Sequence, residues 1–180
     1  LKTPRDVGYN RFLKMLDSPD VMKFAFVRDP ISRFRSAFAK KLSYENNFTR
    51  RVRQYLGLPI ERPLHSVLTL DNVAGEIVRD SKLRDLDEHW RLQRTQILFD
   101  YVPDLQIGRV ENFSGDSNYI FERIFGVDNF VIFDAKKLNP HNSSGQKSGL
   151  TDLQHETLDM LRSAYTNDYL MLSRLKLRHS

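Results

Sequence analysis

The chain has no cysteine in its 180 residues. That absence removes thiol nucleophiles, thiolate metal sites and any disulfide framework, and it favours a reducing compartment. Long apolar runs are also missing. The longest are stretches such as 24–27 (Phe-Ala-Phe-Val) and 130–133 (Phe-Val-Ile-Phe), far short of the roughly 20 residues that a bilayer-spanning helix needs. No basic start followed by an apolar run and a small-residue cleavage site is seen. Glycine (8) and proline (7) are too sparse for a collagen-like or low-complexity chain. What remains is 40% apolar and 28% charged, the composition of a soluble globular protein long enough to bury a core. Neither an internal repeat nor a dividing linker is visible, so residues 1–180 read as one domain.

The net charge of +5 is unevenly placed. Between Arg28 and Arg53 stand eight basic residues (Arg28, Arg33, Arg35, Lys40, Lys41, Arg50, Arg51, Arg53) against Asp29 and Glu45. This window carries the whole positive excess and points to a localised phosphate, sulfate or polyanion site. A solvated basic helix face is the competing explanation.

Tyr9, Phe12, Leu13 and Leu16 recur at helical spacing, predicting an amphipathic helix over 6–17 that Ser18-Pro19-Asp20 ends. Met22 to Val27 is apolar except for Lys23, the pattern of a parallel strand buried on both faces. Asp29-Pro30 then predicts an N-cap and a first helical position, with Ile31, Phe34, Phe38 and Leu42 on the inner helix face. Further helices are expected around Phe48–Leu56, stopped by Gly57 and Pro59, and around Leu70–Val78. A strand is expected at Leu105–Val110, followed by a helix starting near Ser114/Asp116 and carrying Tyr119, Ile120 and Ile124. Residues 139–150 read as a polar loop, and Thr151 with Gln154 as a capping box opening a helix through Leu158, Leu161 and Tyr165. The order of elements predicts an α/β fold with a parallel sheet.

Strand, tight turn and helix over 22–42 place Arg28 where a strand ends, the edge of open α/β sheets that binds ligands. The helix start adds unpaired N–H donors and positive potential. An arginine fork and the Ser36 hydroxyl, eight residues further on, suit a terminal phosphate.

Residues 26–38, Phe-Val-Arg-Asp-Pro-Ile-Ser-Arg-Phe-Arg-Ser-Ala-Phe, resemble the 3′-phosphate-binding motif of sulfotransferases. The carbohydrate enzymes, chondroitin- and heparan-type and their bacterial relatives, are the closest match. Three weaker landmarks follow in order: His89-Trp90, then Ile107-Gly108-Arg109-Val110-Glu111-Asn112, then His141-Asn142-Ser143-Ser144 with Tyr165 and Asp168-Tyr169. The resemblance implies a three-layer, P-loop-like α/β fold. It also implies transfer of a sulfuryl group from 3′-phosphoadenosine 5′-phosphosulfate (PAPS) to a carbohydrate hydroxyl, with no metal. In that picture Arg28 and Ser36 hold the donor's 3′-phosphate. Arg33 and Arg35, two apart, cannot share a helix face, and Arg33 is the one assigned to the donor. Ser143 and Lys147 belong to a loop that closes over the nucleotide. His89 is the one catalytic candidate among five histidines, while His155 is read as surface.

The family's upstream phosphosulfate loop, a Pro-Lys-x-Gly/Ala-x-Thr/Ser segment with a catalytic lysine, has only a faint echo in Lys2-Thr3-Pro4, and Gly145-Gln146-Lys147-Ser148 is not a Walker loop. The resemblance therefore implies a domain incomplete at its N-terminus, whose catalytic lysine and main base lie upstream of Leu1. No His/Asp/Glu set has metal-ligand spacing on one helix face. Arg109 and Glu111, alternate residues of an expected strand, either line a cleft or pair with each other. Three readings stand: a PAPS-dependent carbohydrate sulfotransferase in a bacterial cytoplasm, binding no nucleic acid; a non-catalytic polyanion- or nucleic-acid-binding α/β domain using 28–53; and a related small-molecule kinase. The acceptor expected from the resemblance is a polysaccharide or glycolipid.

Overall fold

The computed structural model describes residues 7–42, 44–59, 61–126 and 153–176. In chain order the elements are α1 (Tyr9–Asp17), β1 (Phe24–Val27), α2 (Pro30–Lys41), α3 (Asn47–Tyr55), α4 (Leu64–Val67), α5 (Leu70–Arg79), α6 (Ser81–Asp85), α7 (Gln93–Gln96), β2 (Gln106–Arg109), a 3-10 turn (Val110–Asn112), α8 (Phe113–Phe125), α9 (His155–Ala164) and α10 (Thr166–Lys176). The fold is mixed α/β: mostly helical, with a small parallel sheet. The apolar run at 130–133, the loop at 139–150, and Thr151, Ser143 and Lys147 lie outside the described residues. Among the described residues no helix is long and apolar enough to cross a membrane. The chain divides into two compact units, residues 1–28 with 94–142 and residues 29–93 with 143–180.

In the first unit β1 pairs in parallel with β2, Phe26 opposite Gly108 and Val27 opposite Arg109. The Phe26 ring lies over Gly108 and stacks on Phe113 at 4.7 Å between centroids. A Cβ at 108 would overlap that ring, so the glycine here is a packing requirement. The strand is shorter and less covered than the expected Met22–Val27. Lys23 instead donates from Nζ to the carbonyls of Leu16 (3.0 Å) and Ser18 (3.1 Å), closing the C-terminus of α1. Only Val27 of the strand is buried, since among the described residues a single strand pairs with it. The periodic face of α1 buries none of its residues: Tyr9 is 74% exposed.

The second unit holds the larger core. Phe34 and Phe38 of α2, Val73 and Ile77 of α5, Leu161 of α9, and Trp90 from the turn before α7 are all buried. Each such large side chain contributes about 1.5–3 kcal/mol by leaving water. Side chains seal the helix starts. Asp29 accepts from Ser32 N at 2.8 Å, with Pro30 at the first helical position as expected. Asn46 and Thr49 form a capping box, while Thr69 and Asp80 cap α5 and α6. Gly57, at φ +63°, ends α3 in the left-handed region that favours glycine. The helix expected to open at Thr151 begins at His155, with Gln154 in the N-cap position and its N–H on Asp71 (3.0 Å). Standing at the N-cap and not at the third helical position, Gln154 does not take the capping-box role.

Candidate functional site

Arg28 follows β1 as the last residue of the first unit and is half-buried; Ser36 lies on α2 in the second unit and is exposed. Around Arg28 the first unit is tightly specified. Asp116 of α8 accepts from Arg109 N at 2.5 Å and from Asn112 Nδ2 at 2.6 Å, fixing the turn at the end of β2. Glu111 falls in the 3-10 turn rather than on the strand, so strand alternation does not govern where it and Arg109 point. Asp116 takes the chain out of the ladder one residue after Arg109.

In the second unit the structure brings together residues far apart in sequence. Arg33, in the first turns of α2, spreads its guanidinium across two backbone carbonyls, Arg91 O at 2.6 Å and Glu88 O at 2.5 Å. It thereby fastens the turn that bears His89 and Trp90 to the start of the helix. Burial lowers the Arg33 pKa from its ordinary value, and the nearby Asp168 carboxylate raises it back in part. Trp90 is fully buried against Phe48 (5.2 Å between centroids) and Phe34 (6.3 Å), so the tryptophan of the His-Trp pair is core.

His89 faces outward, its side chain 43% exposed. Its Nδ1 lies 3.0 Å from Asp87 Oδ1, which also accepts the His89 backbone N–H at 2.8 Å. Lys41 Nζ binds the other Asp87 oxygen at 2.5 Å. Burial opposes ionisation of Asp87, but the bonds from Lys41 and His89 outweigh it and hold the carboxyl below its usual range. A carboxylate on Nδ1 sets the ring so that Nε2 is the nitrogen left to exchange a proton.

The C-terminal helices clamp the same region. The Tyr165 hydroxyl donates to Trp90 O at 2.6 Å, and buried Asp168 accepts from Gln93 N at 2.9 Å. Burial pushes the Tyr165 phenol far up from its ordinary pKa. Tyr169 donates from its hydroxyl to Asp29 Oδ2 at 3.2 Å, so the N-cap of α2 is gripped from 140 residues away. Arg33, His89-Trp90 and Tyr165/Asp168/Tyr169 thus form one assembly. Sequence reasoning singled out most of these residues but missed Asp87, whose only signal was its place two before His89.

The basic window is less free than its charge suggests. Arg53, 1% exposed, donates to Pro59 O (2.8 Å), Arg62 O (2.9 Å) and Glu45 Oε1 (2.5 Å). Lys41 is committed to Asp87 and Arg33 to carbonyls. Lys40, Arg50 and Arg51 are exposed. His155, beside Asp159, is a surface residue as expected.

A cavity of about 400 Å³ opens in this unit, with Tyr55, Leu58, Val67, Glu76, Asp80 and Leu83 in its lining. Tyr55 donates to Asp80, holding that carboxyl below its usual range. Two carboxylates at the rim give it the wrong sign for a nucleotide phosphate. Among the described residues no group of three His, Asp or Glu side chains is placed to hold a metal.

The model of the sulfotransferase family matches residues 2–173. No curated protein and no solved structure matches the chain.

Proposed function

The chain belongs to the sulfotransferase family, and on that premise we propose that it moves a sulfuryl group from PAPS to a hydroxyl of a carbohydrate acceptor. The S–O bond to the donor's 5′-phosphate breaks, a bond forms to the acceptor oxygen, and the hydroxyl proton passes to a base. The products are adenosine 3′,5′-bisphosphate and a sulfate ester. Arg28 supplies a bidentate fork for the 3′-phosphate and Ser36 a hydroxyl donor, while the positive end of the α2 dipole adds its field. The single observation that carries this assignment is the start of α2: an Asp-Pro helix start, capped at 2.8 Å, directly after Arg28 and the strand that ends at Val27, within a chain the family model covers almost throughout. Ser143 and Lys147 are proposed as further contacts of the nucleotide. His89, oriented by Asp87, is proposed as a base for the acceptor proton. Arg33 supports the site by holding the His89 turn on α2. The absence of cysteine supports a reducing compartment such as a bacterial cytoplasm.

Calorimetric titration with adenosine 3′,5′-bisphosphate tests the reading. Arg28→Ala and Ser36→Ala are each expected to weaken binding at least about tenfold, while Arg50→Ala and Arg51→Ala leave it unchanged. Equal, salt-sensitive losses from all four would instead identify a diffuse polyanion surface. Arg53 cannot serve as a surface control, because it is a buried structural group.

A further inference from the structure

Two groups at the His89 turn are able to answer the charge of Asp87, and only one of them leaves the imidazole fit to act as a base. The Asp87 side chain is 10% exposed, and its two oxygens have different partners. Oδ2 takes the Lys41 ammonium at 2.5 Å. Oδ1 accepts the His89 backbone N–H at 2.8 Å and lies 3.0 Å from His89 Nδ1. A carboxylate can only accept, so Nδ1 carries the proton and Nε2 is bare in the neutral ring. A buried carboxylate without a cation draws one from its surroundings. With Lys41 gone, the imidazole is the group bonded to Asp87 that can become a cation. It does so by taking a proton on Nε2, the atom that a base must keep bare.

The other charges around the turn do not replace Lys41. Glu88, 3.8 Å from Nδ1, is a second carboxylate and adds to the demand. Arg33 acts on Asp87 through its field while its guanidinium donates to the Glu88 and Arg91 carbonyls. Arg91 donates to Asp85 O. Lys41 itself is held in place. It stands in the last turn of α2 with its ammonium 5.5 Å from the centre of the Phe48 ring, and that ring packs on Trp90. All of these residues belong to the second unit. We infer that Lys41 is a positioning residue for His89: it meets the Asp87 charge on one oxygen, so that the other holds a neutral imidazole by its Nδ1–H and Nε2 stays bare for the proton of an acceptor hydroxyl. The inference rests on the reading of His89 as the base, and Lys41 acts through Asp87 and not on the substrate.

The experiment is nitrogen-15 NMR of the full chain at pH 7.5, which reads the nitrogens of His89 that carry protons, the ring being assigned by its loss in His89→Gln. Wild type should show Nδ1 protonated and Nε2 bare. In Lys41→Met, and in Lys41→Gln, which keeps a neutral donor near the carboxylate, the ratio of charged to neutral rings should rise about tenfold, the scale of one charge removed from a partly exposed pair. Lys41→Arg should restore the wild-type ratio. Lys41→Met/Asp87→Asn removes both charges and keeps an acceptor for Nδ1–H, and it should return the ratio to the wild-type value or below. A merely structural tie would not be rescued by deleting its partner. Thermal unfolding of each variant ensures that rings are compared in folded protein. An unchanged ratio in the neutral Lys41 variants would overturn the inference alone, as would a double variant as charged as Lys41→Met. A wild-type ring with its proton on Nε2 at this pH would overturn the reading of His89 as the base, and this inference with it.

Discussion

Helices α2 and α3 lie in the same unit, carry the same basic character and begin with the same kind of cap, yet they are wired differently. The cap and the buried arginine of α3 are anchored locally, while Tyr55 in its last turn donates to Asp80, 25 residues on. Asn46 and Thr49 close the capping box, and Arg53 donates to Glu45, Pro59 and Arg62, six to nine residues away. The anchors of α2 are remote: Arg33 bonds carbonyls 55 and 58 residues on, and the Asp29 cap is held from 140 residues away. A helix stabilised by its neighbours needs no distant partner to be a helix. Long-range bonds at the start of α2 do something else: they set where that start lies relative to the His89 turn and α10. Local wiring marks a stability element, and remote wiring marks a positioned one.

Substitutions can break this contrast, and the largest effect is expected in α3. Arg53→Ala should cost about 3 kcal/mol by leaving two carbonyls and a carboxylate without a buried donor, lowering Tm by roughly 6–12 °C. Thermal unfolding followed by titration at a temperature where the variant is folded checks it, with nucleotide affinity unchanged. Arg33→Ala should cost less, about 2 kcal/mol, yet weaken nucleotide binding as well, since the anchor of the α2 start is gone. If Arg53→Ala damaged binding and Arg33→Ala did not, the contrast would be reversed.

These two arginines also mark the limit of what was legible. Strand, Asp-Pro turn and helix over 24–41 could be read because apolar spacing and capping chemistry are local signals, and the same holds for the stop at Gly57. The fates of Arg33, Lys41 and Arg53 could not be read. Composition counts a buried arginine and a solvated one alike, and only tertiary structure brings Glu88, Asp87 or Pro59 to meet them. Gly108 shows the same limit from the other side: it stood out within a family landmark, and its evident task is to make room for the Phe26 ring across the strand pair. His89 was picked for its neighbour Trp90, whereas the residue that orients it is Asp87.

Smaller effects sharpen the comparison of caps. Asn46→Ala and Asp29→Ala should each cost about 1 kcal/mol, measured by denaturant unfolding, but only the second should alter nucleotide affinity. The smallest effect concerns pH. The Asp87 carboxyl is held below its usual range by Lys41 and His89 against the penalty of burial. Its stabilisation is therefore present above the unfolded carboxylate pKa of about 4 and is lost as pH falls through the folded value. Asp87→Asn should flatten that acid limb by under about 1 kcal/mol, seen as a shallower fall of Tm below pH 4.

The central claim is that the 3′-phosphate of the donor is recognised by Arg28 with the start of α2. Titrating wild type and Arg28→Ala with two ligands, adenosine 3′,5′-bisphosphate and adenosine 5′-phosphate, isolates that one phosphate. Wild type should prefer the bisphosphate by at least about tenfold, the value of a charge-assisted fork, and Arg28→Ala should bind both ligands equally weakly. A wild type indifferent to the 3′-phosphate, or an Arg28→Ala variant that keeps the full preference, would contradict the account.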